Sequence, residues 1–163
     1  MQKERSIAGI KKGNNRVFND LSIVDGLVSY DGVTIGDNIS LHSERIIKTH
    51  TRDRDDYTDL YSIYTLTDLP YIVELECENS SLIQGFSFDE HCYYQGKDMI
   101  GIPFFHFLSL FRYEIEAVER YYVPRYNEWQ RCYDLVTHST TCIQVWTRLK
   151  TIRTIVIFDW TIE

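Results

Sequence analysis

YIVELECENSSLIQGFSF, residues 71–88, is the stretch on which the fold turns. Tyr71, Val73, Leu75 and Cys77 alternate with Ile72, Glu74, Glu76 and Glu78. A period of two sends successive side chains to opposite faces of a strand, so this segment reads as a half-buried strand with one acid-lined face. Asn79-Ser80-Ser81 reads as a turn, and Leu82 to Phe88 as the antiparallel partner, with Gly85 expected at a bulge.

The same logic extends outward. At the C-terminus, Cys142–Thr147 and Ile152–Trp160 are β-branched and aromatic and are separated by Arg148-Leu149-Lys150, which predicts a second hairpin whose last strand is central in its sheet. Tyr61, Ile63, Tyr64, Thr65 and Leu66 favour another strand. Leu27–Tyr30, Asp31-Gly32 and Val33–Ile35 form a hairpin signal, because Asp-Gly tolerates the positive φ of a two-residue turn. Asp37 or Asn38 can cap a helix carrying Ile39, Leu41, Ile46 and Ile47 and ending near Thr49. THTRDRDDYTD, 49–59, is polar throughout and reads as a loop. Pro103 opens a short buried helix with Phe104, Phe107, Leu108 and Phe111 at helical spacing. Residues 114–123 carry both patterns; Tyr121, Tyr122 and Val123 before Pro124 tip them toward strand.

These elements predict an α+β class: a single domain with a mostly antiparallel sheet and two or three short helices. An echo between YDGVTIG, 30–36, and YQGKDMIG, 94–101, leaves open two similar halves. The length of 163 residues suits one domain, here 17–163, behind a basic arm, 1–16, that is expected to be flexible. With 44% hydrophobic residues and 25% charged ones, wholesale disorder is excluded. A net charge of −7 has the wrong sign for a protein that coats nucleic acid. The 13 residues Met99–Phe111, free of Asp, Glu, Lys and Arg, are too few to span a bilayer, and no secretory h-region follows the N-terminal bases, so a cytoplasmic protein without membrane contact is expected. Cys77, Cys92, Cys132 and Cys142 contain no C-x-x-C pair and read as reduced, packed thiols.

Catalytic signals are weak. His91-Cys92 is the sole adjacent cysteine and histidine in the sequence, but neighbours on a strand face opposite ways. His106 among Phe104, Phe105 and Phe107 suits a satisfied histidine better than a metal ligand. Asp53-Arg54-Asp55-Asp56 lacks the glycine and closing glutamate of a calcium loop, position 64 being Tyr64. No P-loop, G-x-S-x-G or G-x-G-x-x-G occurs, and neither a metal nor a cofactor is expected.

Charge distribution is more informative. Residues 51–78 hold eight acids and two bases, a net of −6 out of the chain's −7. Such a field attracts a basic partner, and tyrosines among the acids add contact area. The candidate partner-binding residues are therefore Asp53, Asp55, Asp56, Tyr57, Asp59, Tyr71, Glu74, Glu76 and Glu78. The alternative for these acids is an ordinary solvated face.

In size, α+β pattern, segregated acidity and lack of catalytic motifs, with the segments YDGVTIG, CYYQGKDMIGIPFFHFL and IVIFDW, the chain resembles the small acidic immunity proteins that bacteria make beside contact-dependent-inhibition and other polymorphic toxins. The resemblance implies a non-catalytic inhibitor that covers the active or substrate-binding face of a basic, nuclease-like toxin domain. Two other classes stay open: a small hydrolase or transferase built around His91, Cys92 or a carboxylate pair, and a scaffold subunit dimerising through strand edges near Leu60–Leu66.

Overall fold

The computed structural model describes residues 20–53, 60–78, 81–137 and 139–162. In chain order its strands are β1 (Ser22–Val24), β2 (Leu27–Tyr30), β3 (Val33–Thr34), β4 (Ile46–Asp53), β5 (Leu60–Leu66), β6 (Val73–Glu78), β7 (Gly85–Phe88), β8 (Tyr93–Tyr94) and β9 (Lys97–Asp98). After the helix α1 (Phe104–Phe111) come β10 (Glu114–Val123), β11 (Glu128–Val136), β12 (Thr141–Arg148) and β13 (Thr151–Asp159). Two 3-10 turns complete the set among the described residues, Ile39–His42 and Pro124–Tyr126. The antiparallel α+β architecture expected from the sequence is present, with one α-helix and two 3-10 turns among the described residues against the two or three short helices expected.

Eight strands form one antiparallel sheet in the order β10-β11-β12-β13-β7-β6-β5-β4. Its registers set up two kinds of row. Leu75, Phe86, Ile157, Ile143 and Leu135 stand opposite one another across five strands, all buried. One residue along, Glu74, Ser87, Val156, Gln144, Asp134 and Ala117 form a row across six strands, all half-buried. Alternation thus delivers one apolar face and one mixed face, as one-sided burial of an antiparallel sheet requires.

The apolar face is covered by α1 and the short N-terminal strands. Phe104 stacks on Tyr133 with ring centroids 4.0 Å apart, and Tyr30 meets Phe88 edge-on at 4.7 Å. The Tyr30 hydroxyl lies 2.7 Å from that of Tyr71 and accepts the Tyr93 N–H at 3.1 Å, so this buried polar pair is satisfied. Burial, reinforced by the Tyr71 hydrogen bond, pushes the Tyr30 hydroxyl far above its ordinary pKa.

Several expectations change. The helix placed from Ile39 to near Thr49 stops after one 3-10 turn, capped by Asn38, whose Oδ1 accepts the Ser40 N–H at 3.0 Å. Ile46 and Ile47 then open β4, because β-branched residues beside a free sheet edge gain more from pairing with β5 than from a helical stripe. Residues 49–53 are therefore strand, and 54–59, the rest of the expected loop, lie outside the described residues. Residues 114–123 are strand, with one register break between Ile115 and Ala117. Leu60–Leu66 is no sheet edge: β5 pairs with β4 and β6, so a dimer through that strand's edge has no free backbone to use. The expected arm, 1–16, falls outside the described residues.

The echo between residues 30–36 and 94–101 has a local structural counterpart. Asp31-Gly32 and Gln95-Gly96 both turn with positive φ at both residues, the two-residue hairpin geometry, and Gly36 and Gly101 are again positive before the 3-10 turn and α1. Gly85 is not at a bulge: its registers with β6 and β13 are unbroken. A Cβ there would stand 2.8 Å from the Ile157 carbonyl oxygen and 2.9 Å from Phe158 Cβ, so the glycine permits close approach of β13. Gly85→Ala should therefore lower unfolding free energy by about 1–3 kcal/mol in urea titration. Ser87→Ala, on the same strand and face, should change it by less than about 0.5 kcal/mol.

Candidate partner-binding face

Six strands of the mixed face curl into a pocket. Laid flat, β6 and β10 would be five strand spacings apart, about 24 Å. Yet Glu74 and Glu76 on β6 and Tyr121, Tyr122 and Val123 on β10 line one cavity of about 600 Å³. The Pro124–Tyr126 turn at the β10–β11 connection closes one side, and Arg125 reaches Asp89, just beyond β7, at 3.1 Å. Asp89 also accepts the Thr154 hydroxyl at 2.8 Å, so the tie connects the hairpin tip to both β7 and β13.

The walls combine aromatic and carboxylate groups. Tyr121 packs on Trp146 at 5.3 Å, and Trp160 stands edge-on to Phe158 at 4.5 Å with 65% of its surface exposed. Glu74, Glu76, Asp89 and Asp159 are the lining carboxylates, and Arg125 is the single lining base among the described residues. Gln84, Gln130 and Gln144 supply amides; Gln130 is buried and donates to Glu128 at 2.8 Å. Burial raises the Asp159 pKa, but the N–H and hydroxyl of Thr161 and the Thr140 hydroxyl outweigh it, holding the carboxyl below its ordinary range. A cavity of this make-up suits a cationic guest: carboxylates supply the countercharge and aromatic faces receive a guanidinium or ammonium group.

The nine candidate residues separate. Glu74 and Glu76 stand together on the pocket wall. Asp53 and Glu78 end β4 and β6, and their register with Leu60 and Tyr61 brings both backbones to one end of the sheet beside the start of β5. Asp55, Asp56, Tyr57 and Asp59 lie outside the described residues. Tyr71 is a correction: it shares the apolar side with Val73 and Leu75, is 7% exposed and spends its hydroxyl on Tyr30. Asp68, another of the clustered acids, is held by Arg45 at 2.8 Å, and that arginine also pairs with Asp31. Sequence reasoning missed Trp146, Gln144, Val156, Tyr121 and Arg125. The signal was present in Cys142–Thr147, where Gln144 and Trp146 alternate with Ile143 and Val145.

The nucleophile-and-base pair does not assemble. Cys92 is fully buried, and desolvation, with Asp98 next, drives its thiol well above the ordinary value. His91 turns its Nδ1 to Asp98 at 2.5 Å instead, and Asp98 accepts the N–H groups of Cys92 and Ile100 with its other oxygen. His106 is exposed on α1. Among the described residues no group of His, Cys, Asp and Glu is arranged to hold a metal ion, and no helix is long and apolar enough to cross a membrane.

The other thiols respond to the same carboxylate-rich environment. Burial, followed by Asp134 and neighbouring groups, pushes Cys132 up to about 12. Burial, then Asp134 and Glu116, pushes Cys142 up to about 11, and burial with Glu76 does the same for Cys77. In the unfolded chain a thiol loses its proton near pH 8.5, so between that pH and the raised values the folded state holds protons the unfolded state has released. Stability is then fully present below the unfolded pKa and is lost as pH rises toward about 11 to 12. Urea midpoints should fall steadily from about pH 8.5 upward, and a flat profile there would contradict the burial of these thiols.

No known protein family, no curated protein and no solved structure matches this chain.

Proposed function

We propose that the chain is a non-catalytic binding protein that neutralises a basic macromolecular partner, in the manner of an immunity protein covering a nuclease-like toxin domain. The observation that carries this reading is the make-up of the concave face, where Glu74, Glu76, Asp89 and Asp159 meet Tyr121, Trp146 and Trp160 around one arginine. A toxin domain that grips nucleic acid is itself cationic on its working surface, so an inhibitor aimed at that surface needs opposite charge and rigid aromatic area. The surplus of 24 acids over 17 bases extends the attraction beyond contact range. Asp53, Asp55, Asp56, Tyr57, Asp59 and Glu78 remain candidate contacts of the same partner on their charge and aromatic character. No direct nucleic-acid or membrane contact belongs to this reading.

The test first asks whether the adjoining reading frame encodes a large secreted protein with a variable C-terminal domain, as this reading expects, and uses that domain as probe. Co-expression should abolish its toxicity, and the purified pair should associate at a rate that drops with added salt. Glu74→Lys combined with Glu76→Lys should slow association at low salt by at least about tenfold and leave thermal unfolding nearly unchanged. Unaltered affinity in that double variant would reject the concave face as the interface.

A further inference from the structure

β10 ends the sheet, and among the described residues it bonds to β11 alone. A sheet edge left open is a template for another strand, and proteins guard such edges with Lys, Pro or a bulge. β4, the opposite edge, carries Lys48 and a register break between Lys48 and His50 in mid-strand. β10 carries neither Lys nor Pro from Glu114 to Val123, and past its early break Ala117–Val123 runs in unbroken register with β11. Val118, Tyr121 and Tyr122 along it are 43–49% exposed.

Charge selects the occupant. The strand carries Glu114, Glu116 and Glu119 against Arg120. Beside it on the mixed face, opposite Ala117, lies Asp134, whose Oδ1 is shut off from solvent and has no hydrogen-bond partner among the described residues. A buried carboxylate oxygen left unmatched is costly and marks a place where a cation would be taken up. Ala117 is the smallest residue of β10, so a lysine or arginine stem from an added strand has room to cross it toward Asp134, two strand spacings or about 9.6 Å between backbones, a gap the two side chains close from both ends. A second copy fits less well. The two-fold antiparallel register that pairs the whole of Ala117–Val123 sets Arg120 against Arg120, and each chain carries −7.

We propose that the outer edge of β10 receives an extended, lysine- or arginine-bearing segment of the partner as an added strand, with one basic side chain passing over Ala117 to Asp134. This rests on the reading of the partner as basic and adds how it docks: backbone pairing gives the affinity, and Glu119 and Asp134 give the preference for a cationic strand.

The probes are two synthetic nonapeptides, one alternating lysine with valine and the other glutamate with valine. The lysine peptide should bind and slow hydrogen exchange at alternate amides within Ala117–Val123, and the glutamate peptide should not bind. Asp134→Asn should weaken the lysine peptide by about tenfold or more, as loss of a charge-assisted hydrogen bond does. Ala117→Leu, which keeps every carboxylate and covers Asp134, should weaken it similarly, so the test survives if Asp134→Asn fails to fold. Unchanged exchange in β10, binding of the lysine peptide by both variants as tight as by the unsubstituted chain, or protection of β10 by raised chain concentration alone would each overturn the proposal. Binding of the toxin domain that is lost in Glu74→Gln with Glu76→Gln but leaves β10 exchange untouched rejects the added strand alone. A toxin domain that ignores both sets of substitutions rejects the concave face as well.

Discussion

One-sided burial of the eight-stranded sheet is the constraint from which the rest of the structure follows. Leu75, Phe86, Ile157, Ile143 and Leu135 form a continuous buried row, and the residue beside each of them in sequence is forced to the other side. There is enough apolar chain to cover one face: α1 lays Phe104 and Phe107 against it, and the N-terminal strands add Val28, Tyr30 and Val33. Nothing among the described residues lies over the other face in the same way. Its composition of acids, amides and large aromatics is therefore set by something other than core packing.

Curvature turns that leftover face into a site. Had the sheet stayed flat, Glu74 and Tyr121 would be too far apart to act on one guest. The Arg125–Asp89 tie fastens the β10–β11 connection across that common cavity. The tie is a partly exposed ion pair and adds little stability by itself. Its consequence is positional, because it holds the β10–β11 hairpin over the sheet while leaving the outer backbone of β10 open. Concave carboxylates and a free edge strand then lie on the same side of the molecule, where one extended basic segment can use both.

Legibility in the sequence followed the range of the interactions. The alternation of Val73 with Glu74 and Leu75 with Glu76 is a nearest-neighbour pattern, and it placed β6, its acid face and its partner β7 correctly. The Asp31-Gly32 turn, the Pro103 helix start and the β12–β13 hairpin are equally local and were equally readable. Residues 46–53 were misread because Ile39, Ile46 and Ile47 fit a helical stripe locally, and only pairing with β5, a tertiary contact, decides for strand. Tyr71 was misassigned because residue type was weighed above its parity with Val73. The aromatic wall escaped notice because Trp146, Tyr121 and Glu74 come from strands that adjoin only through the sheet order, which no local pattern encodes.

The central claim is that the mixed face, and not the helical one, is where a partner sits. Nuclear magnetic resonance titration of the isotope-labelled chain with the proposed basic toxin domain tests it most directly. The account predicts that shifts gather in the indole N–H signals of Trp146 and Trp160 and the side-chain amides of Gln84 and Gln144, with Phe105 and Leu110 on α1 unmoved. Shifts confined to α1 and the N-terminal strands, with the two indoles unchanged, would contradict it.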